Sequence, residues 1–229
     1  FVVVSCSVRD FLTRGGVNPR KIEVIYSAVN PSRFAAAVNR TDIRHSLKIA
    51  DGHMLVGKIA NYSKWKGQHI FLEAARICLS KNPKLEFVLI GHGTDTLADR
   101  VKEMGLASSV HLLGFRKDVP EIISALDLSV NSAIEGEGLA GTLRESLMMG
   151  VPVVASDVSG NCEIVKDGET GLICRAGDAA GLAEKILYAL ENVPQMKQMA
   201  QSGRKWVLEN ATVDKMAAVH FELYKQVSA

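Results

Sequence analysis

Two glutamates, Glu137 and Glu145, stand eight positions apart where a glycine-containing loop runs into a segment with helical spacing. With Glu137 in the loop and Glu145 two turns into the helix, the two lie about 12 Å apart along the helix axis. Because the paired carboxylates of glycoside hydrolases lie only about 5–10 Å apart, this spacing disfavours two-carboxylate hydrolysis. It fits an elongated ligand with an anionic centre, such as a nucleotide-sugar, since a helix N-terminus between the acids favours an anion. On spacing alone, a solvated helix with ordinary charges remains the alternative.

Two lysines are placed to neutralise such an anion. A nucleoside diphosphate gains negative charge as its bond to the sugar breaks, and fixed cations stabilise that charge in the transition state. Lys58 stands in an apolar, strand-like run, and Lys66 precedes Gly67 at an expected helix start. We predict that both contact the phosphates, whereas Lys64 is solvated. Because two lysines fill this role and no Asp-x-Asp motif occurs, we expect neither a metal nor another cofactor.

Composition argues against several other classes of protein. The 229 residues include 27 Lys and Arg against 25 Asp and Glu, a balance that argues against a nucleic-acid partner. No apolar run approaches the roughly 18 residues that a membrane span needs, so membrane contact would be peripheral at most. The four cysteines show neither C-x-x-C nor zinc spacing. We interpret them as free thiols and expect a reducing, cytoplasmic location.

Apolar runs of strand length alternate with segments of helical spacing, which is typical of an α/β protein with a doubly wound parallel sheet. Runs nearly continuous in Val, Ile and Leu suit a sheet that is covered on both faces. Ligands of such sheets bind outside the carboxyl ends of the strands. The predicted strands cover residues 2–6, 22–25, 54–59, 85–90, 110–113, 128–130, 152–155 and 171–174. The predicted helices between them include 94–104 and 139–149.

The first 35 residues are predicted to belong to a different domain from the rest of the chain. We predict the end of a preceding domain and a linker over 1–35, a nucleotide-sugar-binding Rossmann-like domain over 36–212, and a C-terminal helix over 213–229. The chain opens on an apolar run without an initiator methionine. We therefore expect it to be a piece of a longer protein.

The stretch 137–145 resembles the E-x7-E signature of retaining glycosyltransferases, especially those of family four, which have the two-domain GT-B fold. Further motifs agree in type and order over nearly the whole chain. The resemblance implies that the chain is the C-terminal, donor-binding half of a GT-B fold. The matching segments are 56–59 with 64–67, the Gly-x-Gly strand end 89–93, the Gly-aromatic loop 110–115, the strand and turn 152–163, and 167–172.

The resemblance also implies roles for single residues. Glu145 would accept hydrogen bonds from the donor ribose, and Glu137 would lie against the donor sugar and its reacting end. Lys58 and Lys66 would neutralise the departing diphosphate, although the family usually has arginine at the position of Lys58. The remaining donor-binding residues would be Gly138, Leu139, Ala140 and Gly141 through their main-chain amides, Gly91 at a strand end, and Phe115 and Arg116 beside the base.

Two other residues keep two interpretations each. His92 lies between Gly91 and Gly93 at an expected strand end, where it is either a turn residue or a binding residue. Glu163 follows a glycine turn, where it either touches the sugar or acts as an acid at a helix N-terminus.

The implied reaction transfers a hexosyl or related sugar from a nucleoside-diphosphate sugar to a hydroxyl acceptor, with retained configuration, in polysaccharide or glycolipid biosynthesis. The sugar, glycan or lipid-linked acceptor would bind through an N-terminal domain that is largely absent from the chain. We therefore expect the chain alone to bind the donor and to transfer little sugar. The alternatives are a non-catalytic nucleotide-binding module and a nucleotide-sugar epimerase, which would need further acids and histidines in the cleft.

Overall fold

The computed structural model describes residues 1–34 and 39–228, in which strands and helices alternate. The strands are β1 (Val2–Val3), β2 (Glu23–Val24), β3 (Met54–Ile59), β4 (Leu85–Ile90), β5 (Val110–Leu112), β6 (Leu128–Asn131), β7 (Val153–Ser156) and β8 (Leu172–Cys174). The α-helices are α1 (Cys6–Arg14), α2 (Arg40–Ser46), α3 (Gln68–Lys81), α4 (Ala98–Glu103), α5 (Val119–Ala125), α6 (Gly141–Met148), α7 (Asn161–Ile164), α8 (Ala179–Glu191), α9 (Val193–Asn210) and α10 (Val213–Ser228). Short 3-10 helices lie at Pro19–Lys21, Pro31–Phe34, Lys64–Lys66 and Thr94–Leu97.

Six of the strands form one parallel sheet in the order β5-β4-β3-β6-β7-β8. The chain starts this sheet at β3, moves outward to β5, returns to the centre and moves outward again from β6 to β8. The winding direction therefore reverses between β3 and β6, which makes the gap beyond their carboxyl ends the expected ligand site. The predicted doubly wound parallel sheet is confirmed. Strands β1 and β2 pair with each other in a separate parallel ladder.

The six-stranded sheet is covered on both faces. All six residues of β4 are buried, which explains why the run lacks the polar alternation of a half-exposed strand. Helices α3 and α8 pack against each other over one apolar cluster, and α6 and α9 pack over a second. The two clusters hold the strands in place, so that their carboxyl ends form a fixed edge.

Some predicted elements have different bounds in the structure. The strand predicted over 2–6 ends at Val3, because Ser5 accepts a hydrogen bond from the Val8 amide and so caps α1. The helix predicted over 94–104 divides into the 3-10 helix and α4. The helix predicted over 139–149 begins two residues later, because Ala140 has the extended backbone of an N-cap.

The C-terminal helix α10 occupies the segment predicted as helical, whose last residue, Ala229, lies outside the described residues. The predicted boundary between residues 35 and 36 also lies outside them. The division into three segments therefore stays a prediction. Across 1–34 and 39–228, the structure has no helix that is both long and apolar enough to cross a membrane. All four cysteines are free thiols.

Candidate functional site

A small cavity of about 180 Å³ lies where the winding direction of the sheet reverses. Strand β3 brings Lys58 to it, β6 brings Asn131, and the first turn of α6 brings Gly141 and Thr142. Two lysines thus meet the start of a helix at the carboxyl edge of the sheet. The lining residues are Lys58, Ile59, Ala60, Asn61, Lys66, Val130, Asn131, Glu137, Ala140, Gly141 and Thr142.

Lys58 is only 2% exposed although it carries an amine. Burial lowers its pKa to about 7, while the nearby Glu137 acts to raise that pKa and Lys66 acts to lower it. A buried cation without close pairing costs free energy, and an anion in the cavity offsets that cost. The site therefore favours a negatively charged ligand.

Glu137 and Lys66 form an ion pair at the rim of the cavity. Lys66 Nζ lies 2.8 Å from Glu137 Oε1, and Asn131 Nδ2 donates to the same oxygen at 3.3 Å. The Lys66 ammonium also lies 4.1 Å from the centroid of the Trp65 ring, a cation–π contact. These contacts fix the Glu137 carboxylate beside the lysine that is expected to meet the phosphates.

The start of α6 supplies hydrogen-bond donors to the same cavity. Its N-cap residue, Ala140, has no side-chain oxygen, so the first-turn amides are not capped from there. Thr142 Oγ1 donates to the Ile59 carbonyl at 2.9 Å and thereby holds the helix start against the end of β3. Free amides at the positive end of a helix bind anions, and here they adjoin two lysines.

Glu145 lies apart from these groups, on the second turn of α6, and does not line the cavity. Burial raises the pKa of its carboxyl, and the nearby Arg33 and Arg144 act in the opposite direction. The structure thus gathers Glu137, Lys58 and Lys66 in one cavity and leaves Glu145 outside it. The predicted ribose contact of Glu145 stays a prediction.

The residues predicted to lie beside the base are on neighbouring loops. Phe115 is 54% exposed, and its ring stacks on that of His92 with centroids 4.3 Å apart. Asn61, which lines the cavity, accepts a hydrogen bond from the His92 amide at 3.0 Å. Arg116 makes a two-pronged ion pair with Asp118, at 2.8 and 2.5 Å. The stacked pair therefore adjoins the cavity, whereas the Arg116 guanidinium is already engaged.

The packing of the main chain requires a glycine at position 91. Its φ is +140°, and a Cβ there would lie 2.3 Å from the Ala60 carbonyl oxygen. Only glycine lets the loops after β3 and β4 approach so closely. The predicted donor contact of Gly91 stays a prediction beside this packing role. Gly138, Leu139 and Ala140 lie in the segment that joins Glu137 to α6.

Residues 39–206 match the family described as glycosyl transferases group 1. The chain belongs to this family. EpsD of Bacillus subtilis (strain 168) is 30% identical over 216 residues, which cover 91% of the chain and 56% of EpsD. The N-acetyl-alpha-D-glucosaminyl L-malate synthase of Bacillus anthracis is 26% identical over 215 residues, which cover 92% of the chain and 55% of that protein. The chain thus spans a little over half the length of these relatives.

Solved structures of glycosyltransferases share the fold of this family member. Anabaena Alr3699/HepE in complex with UDP and glucose matches with a TM-score of 0.90 at 23% identity, covering 100% of the chain and 62% of that protein. A glycosyltransferase from Rickettsia africae ESF-5 matches with a TM-score of 0.93 at 21% identity, covering 99% of the chain and 62% of that protein. The predicted family and the Rossmann-like fold of GT-B glycosyltransferases are confirmed.

Sequence reasoning did not single out three polar residues that this glycosyltransferase chain places at the cavity. They are Asn61, Asn131 and Thr142. The sequence positions of the two asparagines could have indicated the site. Both stand at or just beyond the carboxyl end of an apolar strand, where ligands of such sheets bind. The contact of Thr142 with Ile59 joins residues 83 positions apart and has no local signal.

The contacts of Glu163 favour the second of its two interpretations. Its carboxylate accepts hydrogen bonds from the amides of Cys6 and Ser7, at the start of α1. Glu163 is thus an acid in the first turn of α7, and its carboxylate also caps the N-terminus of a second helix, α1.

Cavity size alone would not have identified the site. A larger cavity of about 570 Å³ lies beside α8 and α9 and is lined by charges of both signs, Lys81 and Lys185 with Glu184 and Glu191 among them. The smaller cavity stands out because it places the buried Lys58 and a second lysine beside the free amides of a helix start. In the described part of the chain no cluster of three His, Cys, Asp or Glu side chains has a geometry suited to a metal ion.

Proposed function

We propose that the chain is the donor-binding part of a retaining glycosyltransferase, which transfers a hexosyl or related sugar from a nucleoside-diphosphate sugar to a hydroxyl acceptor. The observation that carries this proposal is the convergence of Lys58, Lys66 and the first-turn amides of α6 in one cavity beside Glu137. Family membership supplies the class of reaction, and the cavity supplies a place for its anionic group.

The diphosphate of the donor occupies the cavity in this proposal. Its volume of about 180 Å³ suits two phosphate groups better than a whole nucleotide-sugar. Lys58 and Lys66 supply positive charge, and the amides of Gly141 and Thr142 supply hydrogen bonds along the helix dipole. As the bond between sugar and phosphate breaks, these fixed groups stabilise the charge that accumulates on the leaving diphosphate.

The sugar lies on the Glu137 side of the diphosphate. The Glu137 carboxylate, fixed by Lys66 and Asn131, accepts hydrogen bonds from sugar hydroxyls next to the reacting carbon. Substitution on the front face, within an ion pair, retains the configuration and needs no protein nucleophile. The base lies toward Phe115 and Arg116, near Gly91, and Glu145 contacts the ribose.

UDP is the first nucleotide to test. The Anabaena structures hold UDP or UDP-glucose, and a 29% identical relative from Escherichia coli is named as a UDP-Gal transferase acting on a diphosphoundecaprenol. By analogy we infer a sugar, glycan or lipid-linked acceptor and a role in polysaccharide or glycolipid biosynthesis. Because the chain spans 56% of EpsD, we expect it to bind the donor alone but to transfer sugar slowly or not at all.

The proposal is tested by calorimetric titration with UDP, GDP and ADP, using Lys58→Met and the matched control Lys64→Met. One nucleotide should bind the unaltered chain. Loss of a charged contact costs about 1.5–3 kcal/mol, so Lys58→Met should weaken binding at least roughly tenfold. Lys64 is exposed on the 3-10 helix that follows β3, and its replacement should leave the affinity unchanged.

Thermal unfolding of the same variants separates binding from folding. Methionine in place of a buried lysine removes an unfavourable charge and keeps the volume, so Lys58→Met should melt at or above the temperature of the unaltered chain. Absence of binding by all three nucleotides, or equal affinity in Lys58→Met and the unaltered chain, would contradict the proposal.

A further inference from the structure

The carboxylate of Glu163 joins two distant parts of the chain. It accepts hydrogen bonds from the main-chain amides of Cys6 at 2.9 Å and Ser7 at 2.8 Å, the first two residues of α1. Ser5 Oγ accepts from the next amide, that of Val8, at 3.2 Å. A carboxylate that holds two amides at the positive end of a helix makes charge-assisted contacts, which are stronger than those of a neutral oxygen.

The turn that precedes Glu163 holds the main chain of Glu137. The Gly160 amide donates to the Glu137 carbonyl oxygen at 3.1 Å, and Ser159 Oγ donates to the same oxygen at 3.3 Å. A Cβ on Gly160 would lie 2.1 Å from the Gly138 carbonyl oxygen, so the turn and the loop touch directly. Any shift of this turn is therefore transmitted to Glu137.

The segment that leads into α1 contacts the same loop from another direction. A Cβ on Gly138 would lie 3.2 Å from Val4 Cγ2 and 3.7 Å from Val8 Cγ2. The Glu137–Gly138 peptide thus touches both the Ser159–Gly160 turn and the start of α1. Glu163 binds those two elements to each other.

We propose that Glu163 is a positioning residue for Glu137. Its negative charge fixes α1 to the Ser159–Gly160 turn, and the two elements together fix the peptide from which the Glu137 carboxylate reaches Lys66. The inference rests on the proposed function, in which Glu137 meets the donor sugar while Lys58 and the α6 amides meet the diphosphate. Loss of the charge should therefore weaken the contact with the sugar more than the contact with the nucleotide.

The test compares Glu163→Gln with the unaltered chain, and Glu169→Gln serves as control because Glu169 is an exposed acid six positions further on. Hydrogen–deuterium exchange should become about tenfold faster in the amides at the start of α1. Calorimetry should show about tenfold weaker binding of UDP-glucose, while the affinity for UDP stays within about twofold. Glu169→Gln should match the unaltered chain in all three measurements.

Any of the following outcomes would overturn the inference. Equal weakening of UDP and UDP-glucose binding would give Glu163 only a general role in folding. Faster exchange with both affinities unchanged would mean that it holds α1 without positioning Glu137, and unchanged exchange would mean that its charge does not hold α1. Failure of the unaltered chain to bind UDP, GDP and ADP alike would remove the proposed function itself, and this inference with it.

Discussion

The burial of Lys58 changes its pKa in a way that an anionic ligand would reverse. Burial lowers its pKa from 10.5 to about 7. Because the unfolded chain keeps the ordinary pKa, it binds more protons than the folded chain between pH 7 and pH 10.5, and stability should rise with pH in that window. A phosphate group in the cavity would favour the charged form and raise the pKa again.

Nucleotide binding should therefore be accompanied by proton uptake at Lys58. At pH 8 the free chain holds this lysine largely neutral, since its pKa is about 7, and the bound chain should hold it charged. Titration with UDP in two buffers of different ionisation enthalpy gives the number of protons taken up, which should approach one. The affinity should fall as the pH rises above 7.

Lys58→Arg is the control for this measurement, because a guanidinium stays protonated throughout the range. The variant should bind UDP without taking up a proton, and its affinity should vary less with pH above 7. Equal proton uptake by Lys58→Arg and the unaltered chain would assign the titration to another group and contradict this prediction.

The predicted site residues differ in how far local sequence could place them. The resemblance implies phosphate contacts for Lys58 and Lys66, and the expected helix start at Gly67 adds support for Lys66. The cavity brings both lysines together with Glu137. The contact between Lys66 and Glu137 spans 71 positions, so the sequence did not indicate that the two form an ion pair. The two-turn spacing from Glu137 places Glu145 on α6. Spacing along a helix, however, does not show which cavity a side chain lines.

Among the elements, the start of α3 is fixed by a contact between main chains. Gly67 has a φ of +68°, and a Cβ there would lie 1.9 Å from the Ser132 carbonyl oxygen. Ser132 Oγ donates to the Gly67 carbonyl at 2.8 Å, so the loop after β6 and the start of α3 are joined directly. This contact sets the position of the neighbouring Lys66.

Gly67→Ala should destabilise the fold by about 3 kcal/mol or more, because it combines an unfavourable backbone conformation with a steric clash. Gly105→Ala is the matched control, since Gly105 has a φ of +71° and a Cβ there would have no other atom within 4 Å. Its cost should be only about 1–2 kcal/mol. Urea unfolding of the two variants measures the difference, and equal costs would show that the contact with Ser132 relaxes freely.

Strands were easier to predict from the sequence than helix boundaries. Runs such as 54–59 and 85–90 agree with β3 and β4, because a strand buried on both faces is apolar at most of its positions. Helix starts depend on the capping residue. Because Ser5 caps α1, this helix begins at Cys6, inside the apolar run that predicts a strand over 2–6. The seven-residue α5 was missed, although Pro120 in its first turn is a start signal.

At the scale of the whole molecule, reversal of the winding direction explains why residues far apart in sequence share one cavity. Strands β3 and β6 are neighbours although two strands and three α-helices lie between them in the chain. Their carboxyl ends bring Lys58 and Asn131 to one cavity, and the connection after β6 places the start of α6 at the same cavity. The alternation of strands and helices predicts a doubly wound parallel sheet. It does not predict which side chains meet where the winding direction reverses.

The whole chain should be stabilised by UDP without a metal ion. Lys58, Lys66 and the α6 amides hold the diphosphate in our proposal, so Mg²⁺ should not be required for binding. A ligand at a hundred times its Kd stabilises a protein by about 2.7 kcal/mol. For a chain of this length that corresponds to a rise in Tm of roughly 5–11 °C, measurable by thermal unfolding.

The decisive comparison is between EDTA and Mg²⁺. The rise in Tm caused by UDP should be the same in both, because the positive charges belong to the protein. At the same UDP concentration Lys58→Met should lose about half of the rise or more in EDTA, because tenfold weaker binding lowers the stabilisation from about 2.7 to about 1.4 kcal/mol. A rise that appears only with Mg²⁺ would mean that the two lysines and the helix start do not suffice to hold the diphosphate, and the charge balance proposed for the cavity would be wrong.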